Sequence, residues 1–454
     1  MIIAVVGGGK MGLPLACKLA ERAHAVTVCD INQSVVDQIN AGKCVIKEPG
    51  VAELLAEAVA LNRISATTTT AKAVSESDAV VAIVPALLDA HRKADLSVLE
   101  SVATEIAAGL HPGTLVSFET TVPVGTTRSR LRPLLERSGL RAGVDFDLAF
   151  SPERVKSLVV LAHLTKIPKI VGGVNDRSAA RASDFYSKYL GAPVVNLGSL
   201  EAAEFTKLAG MVYRDVNIAL ANELAAYAEA VGVDFTAVRE AANTDGEAAL
   251  LAPGIGVGGH CTPVYPYFLI QDAAGGRAPA RMAELARAIN DQQVARSLDR
   301  IERHSGYLRG RHAVVLGVAF RPGVREHTYS PAFLLKPELE RRGVSTQFHD
   351  PLYSVDEIAA LGLPPCADVA SARPDILILN TAHPEYRKLQ LAALASDGLR
   401  VILDGRGFFD PDTIESYGIL YYGIGKRLRT VDTVDPQPIP PDTPSTGRVA
   451  VEER

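Results

Sequence analysis

The 454-residue sequence lacks any apolar run of the ~18 residues that a membrane-spanning helix needs, and it opens into a strand-like segment without a basic region or signal-like cleavage site. A cytoplasmic protein with no membrane partner is the expectation. It also lacks a charge excess. Its 47 Lys and Arg against 52 Asp and Glu give a formal net charge of −5, dispersed rather than blocked, which leaves no basic face for nucleic acid or anionic lipid. Small-molecule chemistry fits that balance. Paired cysteine spacing is missing as well: Cys17, Cys29, Cys44, Cys261 and Cys366 are scattered, and the ten histidines show no metal-ligand spacing. This argues against a disulfide framework and against a metal site.

Glycine is what the sequence has in telling places. Ile2-Ile3-Ala4-Val5-Val6 runs into Gly7-Gly8-Gly9-Lys10-Met11-Gly12, a strand entering a dinucleotide-binding turn with the helical pattern Leu13 to Ala23 behind it. The backbone N–H groups at that helix start would receive a pyrophosphate. A second strand, Val26 to Cys29, ends on Asp30, an acid suited to accept hydrogen bonds from ribose hydroxyls and to repel a 2′-phosphate, favouring NAD over NADP. Far downstream, Gly254-Ile255-Gly256-Val257-Gly258-Gly259-His260-Cys261 delivers one thiol at the end of a glycine-rich loop. Such a thiol, followed by Pro263, is not a core position and reads as a nucleophile. Cys17 and Cys29, set among apolar neighbours, read as structural thiols. His260 reads as a loop hydrogen-bonder rather than as the base for its neighbour.

The length suggests two or three domains at about 150 residues each. Strand-like runs Ala79 to Val84, Leu115 to Phe118 and Asp147 to Phe150 alternate with helical ones such as Ser34 to Asn40, which predicts a parallel, doubly wound sheet over residues 1–195. Leu200 to Val231 reads as one long helix stopped by Gly232, a spine in a central segment 196–305 that includes a second helical region at Ala280 to His304. Strands return at Ala313 to Val318, Ser345 to His349, Ile376 to Asn380 and Val401 to Asp404, so residues 306–427 read as a second Rossmann-like α/β lobe. It has no GxGxxG of its own, hence a different nucleotide or only a structural role. The tail 428–454, proline-rich from Val434, reads as disordered.

Lys207, Met211 and Arg214 share one face of the predicted spine, either as a cationic clamp for an anionic substrate or as a solvated stripe. Ser151-Pro152-Glu153-Arg154-Val155 and Thr120-Thr121-Val122-Pro123 each follow a predicted strand, where doubly wound sheets bind ligands, although either could be a loop cap.

Together these stretches resemble the NAD-dependent nucleotide-sugar 6-dehydrogenases (UDP-glucose, GDP-mannose and UDP-N-acetylmannosamine dehydrogenases) over nearly all of residues 1–427. The resemblance is carried by GGGKMG with Asp30, Glu48-Pro49-Gly50, TTVPVGTT from Thr120, SPERV from Ser151, EAAEFTKLA through RDVNIALANE, GIGVGGHC, VAFRP from Val318, Ser330-Pro331 and Asp404-Gly405-Arg406. The continuation of the cysteine motif to Phe268 is most similar to the UDP-N-acetylhexosamine branch. The resemblance implies oxidation of a sugar C6 hydroxyl to a carboxylate in polysaccharide biosynthesis, with two NAD consumed, a thiohemiacetal and then a thioester on Cys261, and a homodimer about the spine. It implies that Lys207 stabilises oxyanions, Glu153 positions or activates water, and Thr121 meets the nicotinamide region. Gly7, Gly9, Lys10, Met11, Gly12 and Asp30 would hold NAD; Arg154, Val155, Lys207 and Arg214 the substrate. Gly254, Gly258 and Gly259 would wrap the nucleotide ribose, and Phe320, Arg321 and Arg406 would complete the pocket from a UDP-binding lobe. For reaction near neutral pH, the Cys261 thiol is expected to fall below its free pKa of about 8.5.

The departures lie around the sugar. Met211 stands where the family places asparagine, Tyr265 where it places aspartate, and Thr328 where it places arginine; Asn243-Thr244-Asp245-Gly246 lacks basic residues, and Ala86-Leu87 replaces Thr-Pro. Two alternatives therefore stand beside the four-electron enzyme. One is a two-electron dehydrogenase that stops at the aldehyde or takes another hydroxy substrate, the other a non-catalytic nucleotide-binding regulator.

Overall fold

A computed structural model describes residues 1–428 apart from Val45 and Arg277, so the expected disorder after Leu428 lies outside the described residues. The chain forms two α/β lobes joined by one long helix. The first lobe contains β1 (Ile2–Val6), β2 (Ala25–Cys29), β3 (Ile64–Thr67), β4 (Ala79–Ala82), the small antiparallel hairpin β5 (Leu87–Leu88) with β6 (Ala94–Asp95), then β7 (Leu115–Phe118), β8 (Asp147–Phe150), β9 (Lys169–Gly173) and β10 (Val194–Ser199). Eight of these make one sheet in the order β10-β9-β8-β7-β4-β1-β2-β3. Strands β4, β7 and β8 are buried at every residue, as expected when helices cover both faces.

The sheet is not wholly parallel, which corrects the sequence expectation. β8 and β9 pair antiparallel, and β10 follows β9 in the reversed sense. The connection from β8 to β9, residues 151–168 with the helix Val160–Lys166, is as long as the one that joins the parallel strands β1 and β2, so its length alone allows either sense.

The second lobe is a five-stranded parallel sheet, β12-β11-β13-β14-β15, from β11 (His312–Leu316), β12 (Ser345–His349), β13 (Ile376–Leu379), β14 (Val401–Asp404) and β15 (Leu420–Gly423). Between the lobes runs the helix Leu200–Val231, 32 residues capped by the Ser199 side chain and closed by Gly232 at φ 76°. Its first turn, through Leu200 and Ala203, belongs to the core of the first lobe, whereas Ala221, Ala225 and Ala228 belong to the core of the second. One helix thus fixes both lobes, and its alanines let helix Arg281–Ser305 pack closely alongside.

The seam between these two helices is polar as well as apolar. Asp215, fully buried, accepts from Arg287 Nη1 at 2.7 Å and from Asn290 Nδ2 at 2.8 Å, and Asn290 in turn accepts from Asn222 at 2.9 Å. Burial pushes the Asp215 carboxyl up to about 6, against the lowering effect of the Arg287 guanidinium. Arg287→Ala would leave that carboxylate buried without its cation, at a cost of about 3–5 kcal/mol. Its carboxyl would then titrate still higher, so chemical denaturation should show a larger loss of stability at pH 8 than at pH 5.

Candidate active site

The dinucleotide turn is built by close approach. Gly7 follows β1 at φ 110°, and a Cβ on Gly12 would sit 1.8 Å from the Gly7 carbonyl oxygen, so helix Gly12–Ala20 can begin hard against the turn only without a side chain there. A Cβ on Gly9 would meet nothing within 4 Å, leaving that stretch of backbone facing open space. Asp30, after β2, accepts from the Gly8 and Asn32 backbone N–H groups, both at 2.9 Å, and Ile31 beside it is 88% exposed. An open backbone cradle with a flanking carboxylate and an apolar platform fits a dinucleotide. Lys10 in the same turn pairs with Glu326 of the second lobe, lies 3.9 Å from Glu48, and is joined by Ser157, whose hydroxyl donates to Glu326 at 3.1 Å.

The glycine loop lies against the second lobe. Gly259 N donates to the Thr328 carbonyl at 2.9 Å, Ile255 N to Gly405 at 3.1 Å, and Gly254 N to the Asn222 side chain at 2.9 Å. A Cβ on Gly258 would come within 2.5 Å of Phe320 Cβ, and one on Gly254 within 2.6 Å of the Arg406 guanidinium. Arg406 Nε also donates to the Asn380 carbonyl at 2.7 Å, and burial brings its guanidinium down to about 10 with Asp404 opposing. Arg321 is half-buried with its guanidinium 5.9 Å from the Phe320 ring centre. Gly254, Gly258, Phe320 and Arg406 therefore meet at one seam.

At the end of this loop Cys261 is half-buried, whereas Cys17 and Cys29 are interior thiols that burial pushes up to about 12. Cys261 is raised too, chiefly by burial and further by Glu153; Lys207, the Tyr265 hydroxyl and Arg214 pull it down. The expected net lowering is thus corrected, because desolvation outweighs the nearby cation. Lys207 Nζ donates to the Glu153 carbonyl at 2.7 Å and lies 5.9 Å from the Tyr265 ring centre. The Glu153 carboxyl accepts from Val155 N and is raised by burial, with Lys207 opposing. Lys207 is buried, Met211 half-buried and Arg214 exposed, so the shared helix face runs from interior to solvent. Arg154 is exposed, with Nη1 3.5 Å from the Pro168 carbonyl. His260 lies near Lys10 and His327, and burial, with the Lys10 ammonium adding to it, holds its imidazole low.

Sequence reading assigned no role to the layer beneath. Glu119 pairs with Lys169 at 2.8 Å and accepts from the Tyr186 hydroxyl at 2.8 Å, and Glu153 N donates to the Glu119 carbonyl at 3.1 Å. A cavity of about 10 Å³, room for one water, lies behind Glu153 against Glu119, His163 and Lys169. Glu204, one turn before Lys207, is fully buried and accepts from Gly125 N at 2.5 Å and Thr127 N at 2.9 Å, pinning the loop that carries Thr121. Only the position of Glu204 in EAAEFTKLA hinted at it; Lys169 and Tyr186 lie far off in sequence and carry no local signal.

Comparison with known proteins decides what this arrangement belongs to. Three models of one family match in order: the NAD binding domain at residues 1–190, the central domain at 201–292 and the UDP binding domain at 314–411. The chain belongs to the UDP-glucose/GDP-mannose dehydrogenase family. It is 30% identical to the UDP-N-acetyl-D-mannosamine dehydrogenase of Pyrococcus horikoshii over 94% of this chain and 99% of that one, and the solved structure bearing that name superposes with a TM-score of 0.85. It is 33% identical to the NDP-N-acetyl-D-galactosaminuronic acid dehydrogenase of Ralstonia nicotianae, covering 91% of this chain and 97% of the relative. A structure of that activity from Methanosarcina mazei superposes at 0.82, with 30% identity and coverage of 94% and 95%.

As a member of the UDP-glucose/GDP-mannose dehydrogenase family, the chain is an NAD-dependent nucleotide-sugar dehydrogenase whose second lobe is a UDP-binding domain. The structure gives a physical reason for the different nucleotide. Asp350, after β12, stands where Asp30 stands after β2, but it is buried and accepts from Val318 N at 2.7 Å, Ala319 N at 2.9 Å and Leu352 N at 2.9 Å, with His383 Nε2 at 3.2 Å. No free carboxylate remains there for a dinucleotide ribose. Among the described residues no helix is long and apolar enough to cross a membrane.

Burial pushes the Glu204 carboxyl up to about 7, with the Thr127 and Gly125 N–H groups opposing. Its folded value lies above the unfolded one, so the stability from the protonated form is full below about pH 4.3 and is lost as pH rises towards 7. Between those values wild type should lose on the order of 3 kcal/mol relative to Glu204→Gln, read as the difference in unfolding free energy across the pH range.

Proposed function

We propose that the chain oxidises the C6 hydroxyl of a UDP-linked hexose or N-acetylhexosamine to the uronic acid, through a thiohemiacetal and then a thioester on Cys261. The observation that carries this reading is the convergence of one half-buried thiol, one buried lysine and one half-buried carboxylate at the seam between the NAD-binding and UDP-binding lobes. The names of the relatives support the N-acetylhexosamine class. NAD, held by the Gly7 to Gly12 turn and Asp30, supplies hydride acceptance when bound. Lys207 then stabilises each oxyanion, a contribution on the order of 3 kcal/mol for one well-placed donor. Its bond to the Glu153 carbonyl fixes the ammonium without spending the Glu153 carboxylate, whose raised pKa suits a base working near neutral pH. Glu153 takes the proton of the attacking water, and the one-water cavity behind it supports that role.

Thr121, buried just after β7, meets the nicotinamide region. Arg154, Val155 and Arg214 hold the sugar, and Gly254, Gly258, Gly259, Phe320, Arg321 and Arg406 the nucleotide. The chain divides functionally into an NAD-binding unit (1–195), a central unit (196–305) and a UDP-binding unit (306–427). The central helix offers the face for a second copy: Phe205, Tyr213, Leu220, Tyr227 and Val231 recur at near-heptad spacing and are each 45–68% exposed.

Incubation with a panel of UDP-, GDP- and dTDP-sugars should yield two NADH per uronate. One NADH per sugar, with aldehyde as product, would establish the two-electron reading, which the replacement of polar groups by Met211 and Tyr265 favours. Cys261→Ala should abolish acid formation while NAD binding, read by calorimetry, stays intact; unchanged acid production would remove Cys261 from the mechanism. Leu220→Arg should shift the sedimenting species from dimer to monomer, and a wild type already monomeric at micromolar concentration would refute the interface.

A further inference from the structure

The hairpin β5–β6 takes no part in the sheet of the first lobe and reaches across to the segment that carries the nucleophile. Its root lies on the cofactor side. A Cβ on Gly7 would meet the Ile83 carbonyl oxygen at 2.3 Å, so the chain leaves β4 in contact with the dinucleotide turn. Val84 N then donates to Thr120 Oγ1 at 3.0 Å, and that hydroxyl donates to the Val84 carbonyl at 2.7 Å, next to Thr121. The paired residues Leu88 and Ala94 pack on Leu208, Val264 and Phe268, which neighbour Lys207 and follow Cys261. The tip presents Arg92. Asp89 shapes it by accepting from His91 N and Lys93 N, both at 2.8 Å, and Arg92 sits at φ 58°, a left-handed conformation that a residue with a side chain adopts only where its surroundings impose it.

From that tip the Arg92 guanidinium donates to the Tyr267 hydroxyl, stands 5.2 Å from the centre of the same ring and lies 3.6 Å from Asp291, while Gln271 Nε2 donates to the Arg92 carbonyl at 3.3 Å. Tyr267 and Gln271 belong to the helix Pro266–Ala274, and the turn leading into it closes on the Cys261 carbonyl, which accepts from Val264 N at 3.2 Å and Tyr265 N at 2.9 Å. Asp291 is held from its other side by Arg287, the partner of Asp215. We propose that Arg92 is a positioning residue for Cys261: by clasping Tyr267 and Asp291 it ties the thiol-bearing turn to the cofactor side of the cleft. The Arg92 side chain is 64% exposed, and ion pairs so placed add little stability, so its contacts serve placement.

The inference rests on the proposed function for the reason that such placement matters. There C6 passes its first hydride to NAD as the hydroxyl proton leaves to solvent, which gives the aldehyde. The Cys261 sulfur then bonds to C6, and the carbonyl oxygen takes up a proton. The second hydride leaves the same carbon while it is tied to the sulfur, so thiol and nicotinamide must stand at a fixed separation. A thiol that drifts captures the aldehyde slowly, and aldehyde escapes. The hairpin opposes that drift because its root touches the dinucleotide turn and its tip holds the helix that follows Cys261.

Steady-state kinetics with UDP-N-acetyl-D-mannosamine, run with semicarbazide to trap free aldehyde, test the role. Arg92→Ala should lower kcat about tenfold and raise the trapped aldehyde, with KM for sugar and NAD within about twofold of wild type, a loss in keeping with a small misplacement of the thiol. Its melting temperature should match wild type, and Arg92→Lys, which keeps the cation, should recover most of the rate. Adding Tyr267→Phe to Arg92→Ala should slow the enzyme no further. Without sugar or NAD, alkylation of Cys261 by iodoacetamide, read by peptide mass, should run about threefold faster in Arg92→Ala as the turn loosens. An alkylation rate equal to wild type, a kcat loss that comes with a lower melting temperature and that lysine does not restore, or additive effects in the double variant would overturn the proposal. A wild type that makes no uronate counts against the proposed function alone, and the alkylation rates then decide the role of Arg92.

Discussion

The structure depends on one close approach, that of the glycine loop to the second lobe. Because Gly258 has no side chain, the backbone passes in van der Waals contact with Phe320, and the missing side chain of Gly254 leaves room for the Arg406 guanidinium. Three backbone N–H groups of the loop are taken up by Thr328, Gly405 and Asn222, which belong to the second lobe and to the central helix. A loop held at three points cannot wander, although four of its eight residues are glycine. Cys261 therefore emerges at a defined place between the lobes, and any residue larger than glycine at position 258 would push it away.

Desolvation is the common condition of the groups that meet there. Burial raises the Cys261 thiol and the Glu153 and Glu204 carboxyls alike, and Lys207 acts against it on Cys261 and Glu153. The lysine is held by a carbonyl oxygen, a neutral acceptor, so its charge remains available to both partners. A dry site strengthens every such interaction and penalises each unpaired charge. The Glu119–Lys169 pair with Tyr186, and Glu204 with its two backbone donors, give the carboxylates behind the cleft their partners. The polar seam of Asn222, Asn290 and Asp215 extends the same support to the glycine loop along the central helix.

Local pattern revealed a good share of the fold. The segments Leu115–Phe118, Asp147–Phe150, Ser345–His349, Val401–Asp404 and the whole of Leu200–Val231 stand where apolar runs, alanine content and Gly232 predicted them. The reversal at β9 was invisible, because a strand's own residues carry no mark of its direction and connections of equal length give the parallel pair β1–β2 and the antiparallel pair β8–β9. In the site, Cys261, Lys207 and Glu153 stood out through motif context. Glu119, Lys169 and Tyr186 did not, since a buried ion pair between segments some 50 residues apart leaves no periodic trace.

By itself the sequence determined the dinucleotide turn, the acid after the second strand, the single thiol on a glycine loop and the long helix that joins two lobes. Each is a matter of neighbouring residues whose backbone preferences or spacing act over a few positions. Tertiary structure alone decided the electrostatics. It showed that burial outweighs Lys207 at the Cys261 thiol, and that Asp350 is consumed internally while Asp30 lies against the Gly8 backbone. Charge and hydrogen-bond energies depend on distance and solvent exposure in space, and sequence order carries neither.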